Sequence, residues 1–225
     1  MLIKKNTIMK QLKDALPYGN DEVAKKLIQA ESIFYEIYEN CGKTFDSGCG
    51  SYLFDGSTYE YFIDLYPKQK LLYDLAKENS SVLEIGTYMG HSALIMLLAN
   101  PKLKLTTIDI MDHLSYPATE TLKKHFPEAN IQFIHGNSVD VLTNINDSFD
   151  MFHIDGNHDA DHVIRDFDLC KQLSSTNQYK VIFDDWHGER GPGSSVEKHV
   201  LQSGNVSQYF IPNCLWTNSY IQMDL

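Results

Sequence analysis

Apolar and polar positions along this chain follow two rhythms, and the change falls near residue 80. Between residues 7 and 40, Val23, Leu27, Ile28, Ile33, Tyr35 and Ile37 recur at helical spacing among charged residues, and Pro17-Tyr18-Gly19-Asn20 splits that pattern in two. Cys41 to Gly56 is rich in Gly and Ser yet holds Phe45, Tyr52 and Phe54, so it reads as an ordered, partly apolar loop rather than a linker. Tyr59 to Lys77 predicts further helix, interrupted or restarted at Pro67. From Ser81 onward, short apolar runs alternate with helical segments. Strands are predicted at residues 82–85, 103–110, 131–135, 149–155 and 179–184, with helices near 91–99, 118–126, 138–145 and 159–173. A further helix near 195–201 precedes two β-runs, 208–211 and 219–224. Such short connections imply right-handed crossovers. The predicted architecture is α/β: a Rossmann-like, doubly wound, mostly parallel seven-stranded sheet with a C-terminal antiparallel hairpin and an N-terminal helical extension. That extension, residues 1–78, is read first as packing against the sheet and second as a lid.

The central stretch is Ser81-Val-Leu-Glu-Ile-Gly-Thr-Tyr-Met-Gly90, continuing into His91-Ser92-Ala93-Leu94. It reads as strand, tight turn and helix start. A turn with glycine at 86 and 90 lets backbone N–H groups approach a ligand, and the helix N-terminus adds partial positive charge. An ordinary βα turn would also account for Gly-x-x-x-Gly alone. The spacing differs from the dinucleotide fingerprint Gly-x-Gly-x-x-Gly.

Open parallel sheets bind ligands beyond the carboxyl ends of their strands. Here those ends carry Gly86, Asp109, Gly136-Asn137-Ser138, Asp155-Gly156-Asn157-His158 and Asp184-Asp185-Trp186-His187. Asp109 follows Gly86 by 23 residues, close to the offset at which an acid meets ribose hydroxyls, so an adenosine-type ligand is implied. Asp155, Asp184 and Asp185 form a second group. Three ionised carboxylates at one rim call for a cation, and hard oxygen ligands favour Mg²⁺ or Mn²⁺ over zinc. His158, three residues beyond Asp155, offers an imidazole that is mostly neutral at pH 7 at its ordinary pKa and is the candidate general base. His153 reads as a structural mid-strand histidine, while His91 and His187 stay open, with solvent exposure the first explanation for each.

Composition narrows the partners. The 225 residues, 43% hydrophobic and 22% charged, suit one domain with a large core or a domain plus a cap. A formal charge of −11 argues against nucleic acid or an anionic membrane as partner. No apolar run approaches a membrane span, and the N-terminus lacks a secretory signal. Cys41, Cys49, Cys170 and Cys214 show no Cys-x-x-Cys pairing and read as reduced thiols of a cytoplasmic protein. These exclusions leave a small molecule or glycan as the expected partner, with a homo-oligomer left open.

Glu84-Ile85-Gly86-Thr87-Tyr88-Met89-Gly90-His91-Ser92 resembles the first motif of class I S-adenosylmethionine-dependent methyltransferases. It is most similar to the metal-dependent O-methyltransferases of the catechol and caffeoyl-CoA types, and it also resembles bacterial and viral relatives that methylate sugar hydroxyls, macrolide sugars among them. The resemblance spans about residues 80 to 190 and makes 79–225 the cofactor-binding core. It implies that Glu84, Gly86 and Tyr88 border the methionine part of S-adenosylmethionine, with Gly90 completing the turn. Ser92 would meet the cofactor's carboxylate, Asp109 its ribose, and Asn137 and Ser138 its adenine. Asp155, Asp184 and Asp185 would hold Mg²⁺ or Mn²⁺, with Asp155 also bordering the cofactor. Catechol-type enzymes carry asparagine at the third metal position and a catalytic lysine three residues after the first aspartate. Here those positions are Asp185 and His158, which resembles the sugar-methylating branch. The expected reaction is methyl transfer to a metal-bound hydroxyl of a sugar, glycan or other small vicinal diol.

Three rivals use part of the same pattern. A nicotinamide-dependent oxidoreductase would use the sheet and Asp109 but has no need of three aspartates at one rim. A metal-dependent hydrolase or hydroxylase would use the aspartates without the cofactor turn. A non-catalytic binding module would retain the turn and keep the metal as a structural element.

Overall fold

The computed structural model describes residues 21–46, 51–175, 178–185, 193–210 and 219–224. Pro17 to Asn20, Cys49, Trp186, His187 and Cys214 lie outside them.

Five strands, β1 (Ser81–Ile85), β2 (Lys104–Asp109), β3 (Asn130–His135), β4 (Met151–Ile154) and β5 (Gln178–Phe183), pair in parallel. Two more, β6 (Asn205–Phe210) and β7 (Ser219–Asp224), pair antiparallel, and β7 also runs antiparallel to β5. The order across the sheet is β3-β2-β1-β4-β5-β7-β6. Strand order therefore reverses between β1 and β4, where a doubly wound sheet opens its ligand crevice. β1 and β4 are apolar along nearly their whole length because helices cover both sheet faces; only Glu84 and His153 interrupt the run.

The helices are α1 (Glu22–Gln29), α2 (Glu31–Asn40), α3 (Tyr66–Lys77), α4 (His91–Ala99), α5 (Asp112–His125), α6 (Ser138–Leu142), α7 (Ala160–Gln172) and α8 (Gly193–Gln202). Pro67 sits in the first turn of α3, where its missing N–H costs nothing, so it restarts the helix after the 3₁₀ turn Ile63–Leu65. Pro117 lies inside α5. The sequence reading, a helix near 118–126, begins six residues too late. The helix begins at Asp112, and Thr121 Oγ1 donates to the Pro117 carbonyl at 2.8 Å.

One apolar cluster joins the extension to the sheet, with Val23, Leu27, Phe34 and Ile37 packed together with Leu94, Leu97 and Leu122. The loop from Ser51 to Phe62 belongs to it: Tyr52, Phe54 and Tyr59 are among the largest fully buried side chains. This loop reaches the start of α4 at His91, which is 1% exposed and not the surface histidine expected. Ser51 Oγ lies 2.7 Å from His91 Nδ1, and Tyr59 Oη lies 2.9 Å from Nε2 while donating to the Phe34 carbonyl. Tyr59 has one proton and spends it on Phe34, so its oxygen accepts from Nε2–H. Nδ1 then accepts from Ser51, whose oxygen takes the Leu53 N–H. This chain admits one tautomer of a neutral imidazole.

Burial pushes the His91 pKa down to about 3. The folded value lies below the unfolded one, so the unfolded chain binds the extra proton; the stability His91 contributes is full above about pH 6.5 and is lost as pH falls. The advantage of the wild type over His91→Asn in urea unfolding is expected to shrink by about 2 kcal/mol from pH 7 to pH 5. A gap independent of pH would show that His91 titrates normally in the fold.

Candidate active site

The turn after β1 is fixed by a close approach of two strands. Gly86 has φ +90°, and a Cβ there would lie 1.9 Å from the Asp155 carbonyl oxygen at the end of β4. No side chain fits. Gly86 N–H donates to the Ile108 carbonyl at 2.9 Å, and Gly90, at φ +66°, begins α4. Tyr88 holds φ +47°, a left-handed conformation rare for a bulky residue. Its N–H donates to Asp109 Oδ2 at 2.6 Å, and Met111 N–H donates to Oδ1 at 2.8 Å. Asp109, 9% exposed, thus shapes the turn as well as facing the rim. The Tyr88 hydroxyl accepts the Asp46 N–H at 3.0 Å, tying the turn to the N-terminal region.

Beneath the turn lies a buried polar chain. Glu84 Oε1 accepts from Ser92 Oγ at 2.5 Å and faces His153 Nδ1 at 3.2 Å, while Tyr52 Oη lies 2.8 Å from His153 Nε2. Burial works against a charge on His153, but the hydrogen bond to Glu84 and the nearby aspartates outweigh it and raise its pKa. Glu84 Oε2 and Thr87 Oγ1 are buried with no hydrogen-bond partner among the described residues. The Ser92 hydroxyl is engaged by Glu84. Asn137 caps α6 by accepting the Val139 N–H at 3.0 Å, and Ser138 Oγ donates to Asp166 on α7 at 2.7 Å.

The acidic rim is organised around Asp184. Ligand atoms of His153, Asp155 and Asp184 lie within 4.8 Å of one another, and so do those of His158, Asp184 and Asp185. The three aspartates expected to act together are therefore distributed over two overlapping sets that share Asp184, and each set includes a histidine. Burial and the charge of Asp184 push Asp155 up to about 7 and Asp185 up to about 6. Asp185 also holds φ +48°. His158 Nε2 lies 3.5 Å from Asp155 Oδ1, and Nδ1 lies 3.8 Å from Asp185 Oδ2. The expectation of a mostly neutral His158 at pH 7 does not hold with these carboxylates as its neighbours, because Asp155 raises its pKa to about 9.

Sequence reasoning missed Lys68. It lies on α3, 4% exposed, with Nζ 2.8 Å from Asp184 Oδ1 and 4.5 Å from the centroid of the Tyr52 ring. The signal was present: Leu65, Lys68, Leu72 and Ala76 share one helical stripe, and a lysine on a buried stripe needs an anionic partner.

Residues 83–186 match a family model described as a methyltransferase domain. An uncharacterized protein of Acanthamoeba polyphaga mimivirus is 31% identical over 147 residues, covering 59% of this chain and 66% of that protein. The fold is similar to an O-methyltransferase of Bacillus cereus solved with SAH (TM-score 0.62, 15% identity, 99% and 100% of the two chains). It is also similar to TomG of Streptomyces achromogenes, an O-methyltransferase of tomaymycin synthesis solved with SAM (TM-score 0.59, 18% identity, 100% and 99% of the chains). Residues 83–186 thus resemble a methyltransferase domain, and the chain has an α/β Rossmann-like fold similar to that of these O-methyltransferases.

Gly86→Ala is expected to destabilise the protein by at least about 2 kcal/mol, because it adds left-handed strain to a backbone clash that repacking cannot relieve. Chemical denaturation measures this. A loss below about 0.5 kcal/mol would show that the β1 and β4 ends can separate.

Proposed function

We propose that the chain is an S-adenosylmethionine-dependent O-methyltransferase acting on a hydroxyl of a sugar, glycan or other small vicinal diol, with Mg²⁺ or Mn²⁺ at its acidic rim. The observation that carries this reading is the double use of Asp155. Its backbone closes against Gly86 on the cofactor side, while its side chain joins Asp184 and His158 on the rim. A cofactor turn and an oxygen-rich cluster thereby share one crevice. The missing Cβ at Gly86 lets the β1 and β4 ends close together, Glu84 Oε2 is an unused acceptor for the ammonium group of the cofactor's methionine part, and Asp109 accepts from ribose hydroxyls.

The donor set suits a hard divalent ion. Asp155 and Asp185 are held above their ordinary pKa by burial and by the charge of Asp184, a load that positive charge would relieve. Bound by Asp155, Asp184 and Asp185, such an ion would act as a Lewis acid on an acceptor hydroxyl, and S-adenosylmethionine would supply the electrophilic methyl group. His158 borders Asp155 and Asp185, whose negative charge keeps it protonated; a divalent ion on those carboxylates would offset that charge, lower the imidazole pKa and free His158 to take the hydroxyl proton. Asp155 and Asp185 restrain the imidazole from either ring nitrogen. Cys41 and Cys170 are free and buried, in keeping with a cytoplasmic setting.

The test is transfer of labelled methyl from S-adenosylmethionine to a panel of sugars, glycans and catechols. Label is expected on a hydroxylic acceptor, lost in excess EDTA and restored by Mn²⁺. His158→Ala is expected to lower kcat about 10² to 10⁴-fold while the demethylated cofactor still raises Tm, whereas Asp109→Ala removes that rise. Full turnover in EDTA would sink the metal reading. Stabilisation by NAD but not by S-adenosylmethionine would sink the cofactor reading.

A further inference from the structure

We infer that Lys68 is the resident counter-cation of the acidic rim: its ammonium competes with a divalent ion for Asp184 and sets how tightly the site holds metal. The inference rests on the proposed metal reading of Asp155, Asp184 and Asp185 and adds to it a residue from outside the methyltransferase domain.

The geometry is specific. Lys68 Nζ is 2.8 Å from Asp184 Oδ1, and the two side chains are 5% and 7% exposed. On its other side lies the ring of Tyr52, 4.5 Å from the ammonium, so the cation is enclosed between a carboxylate and an aromatic face. Burial disfavours the charge on Lys68, but Asp184, Asp155 and Asp185 together outweigh it, and the group stays an ammonium. Asp184 is common to both sets of candidate ligands. The lysine therefore engages the one carboxylate on which either metal arrangement depends, and leaves its second oxygen for an incoming ion.

Two consequences follow from Coulomb's law. A fixed positive charge at contact distance from Asp184 repels a divalent ion bound to the same carboxylate, so it weakens metal affinity. The same charge protects the fold when no metal is present, because a buried carboxylate without a partner is strongly destabilising. Loss of Lys68 should then make the protein both tighter for metal and dependent on it. Damage to packing alone would weaken metal binding and could not tighten it.

The experiment titrates Mn²⁺ and Mg²⁺ into wild type, Lys68→Met, Lys68→Gln and Lys68→Arg, reading affinity by calorimetry and Tm in EDTA and in saturating metal. Expected is at least tenfold tighter Mn²⁺ binding by the Met and Gln variants. Their Tm should lie well below wild type in EDTA and recover with Mn²⁺, while Lys68→Arg stays close to wild type in both. A Met or Gln variant that is soluble only when purified with Mn²⁺ shows the same dependence in its limiting form. Binding by the variants but not by wild type would also support the inference, with Lys68 fully occupying the metal's electrostatic place. Equal or weaker binding by both variants, or insolubility of both at any metal concentration, would overturn it. Failure of every protein to bind metal would overturn it together with the metal reading. A Tm rise with the demethylated cofactor, measured on the same samples, would show that the cofactor reading survives.

Discussion

The contact between Gly86 and the Asp155 backbone sets the geometry of everything around it. A Cβ at residue 86 would lie 1.9 Å from the Asp155 carbonyl oxygen, so β1 and β4 converge at their carboxyl ends as closely as backbone atoms allow. That convergence turns the chain sharply after Ile85, brings Tyr88 N–H onto Asp109, and starts α4 just beyond Gly90. It also sends the Asp155 side chain toward Asp184 and His158. A cofactor turn and an acidic rim are two outcomes of one steric constraint at the point where the sheet reverses its strand order.

The N-terminal region is built into this arrangement by side chains that sequence periodicity assigns to packing. Gln69 and Lys68 are adjacent on the buried face of α3. Gln69 donates to the Tyr52 carbonyl and accepts from the Tyr61 hydroxyl, which fastens the aromatic loop to the helix. Lys68 fastens the same helix to the end of β5. Tyr52 then reaches His153 in the middle of β4, and through it Glu84. The loop cannot lift without breaking polar contacts in the protein interior, where each unmade hydrogen bond costs about 1–3 kcal/mol. Such a loop forms a wall of the site and is ill suited to be a freely moving lid.

Much of this was legible in the sequence because the core obeys local rules. The five parallel strands and α4 follow from short apolar runs broken by glycine, and the acids at their ends follow from strand direction. Three features were illegible for physical reasons. The sequence pattern starts a helix near residue 118, yet α5 runs back through Pro117 to Asp112 because tertiary packing of Leu114, Ala118 and Leu122 outweighs one missing hydrogen bond. His91 looks like a polar residue at a helix start, and only the folded loop supplies the Ser51 and Tyr59 partners that bury it neutral. Lys68 is 116 residues from Asp184, and nothing local to either one announces the pair.

The two buried polar networks differ in whether they close on themselves, and that difference separates scaffold from chemistry. Around His91 every donor finds an acceptor, from Leu53 N–H through Ser51, the imidazole and Tyr59 to the Phe34 carbonyl. That chain is neutral, complete and inert. Around the β1 and β4 ends the network stays open: among the described residues Glu84 Oε2, Thr87 Oγ1 and His158 Nε2 are buried without hydrogen bonds, and three aspartates face one lysine and two histidines. Folded proteins satisfy nearly all buried polar groups, so a concentration of unsatisfied ones marks where a ligand is meant to complete them. The open acceptor at Glu84 calls for a cationic donor on the turn side, and the crowded carboxylates call for a cation on the rim side. The proposed S-adenosylmethionine, with its ammonium and sulfonium charges, and the proposed divalent metal would each supply one of these cations.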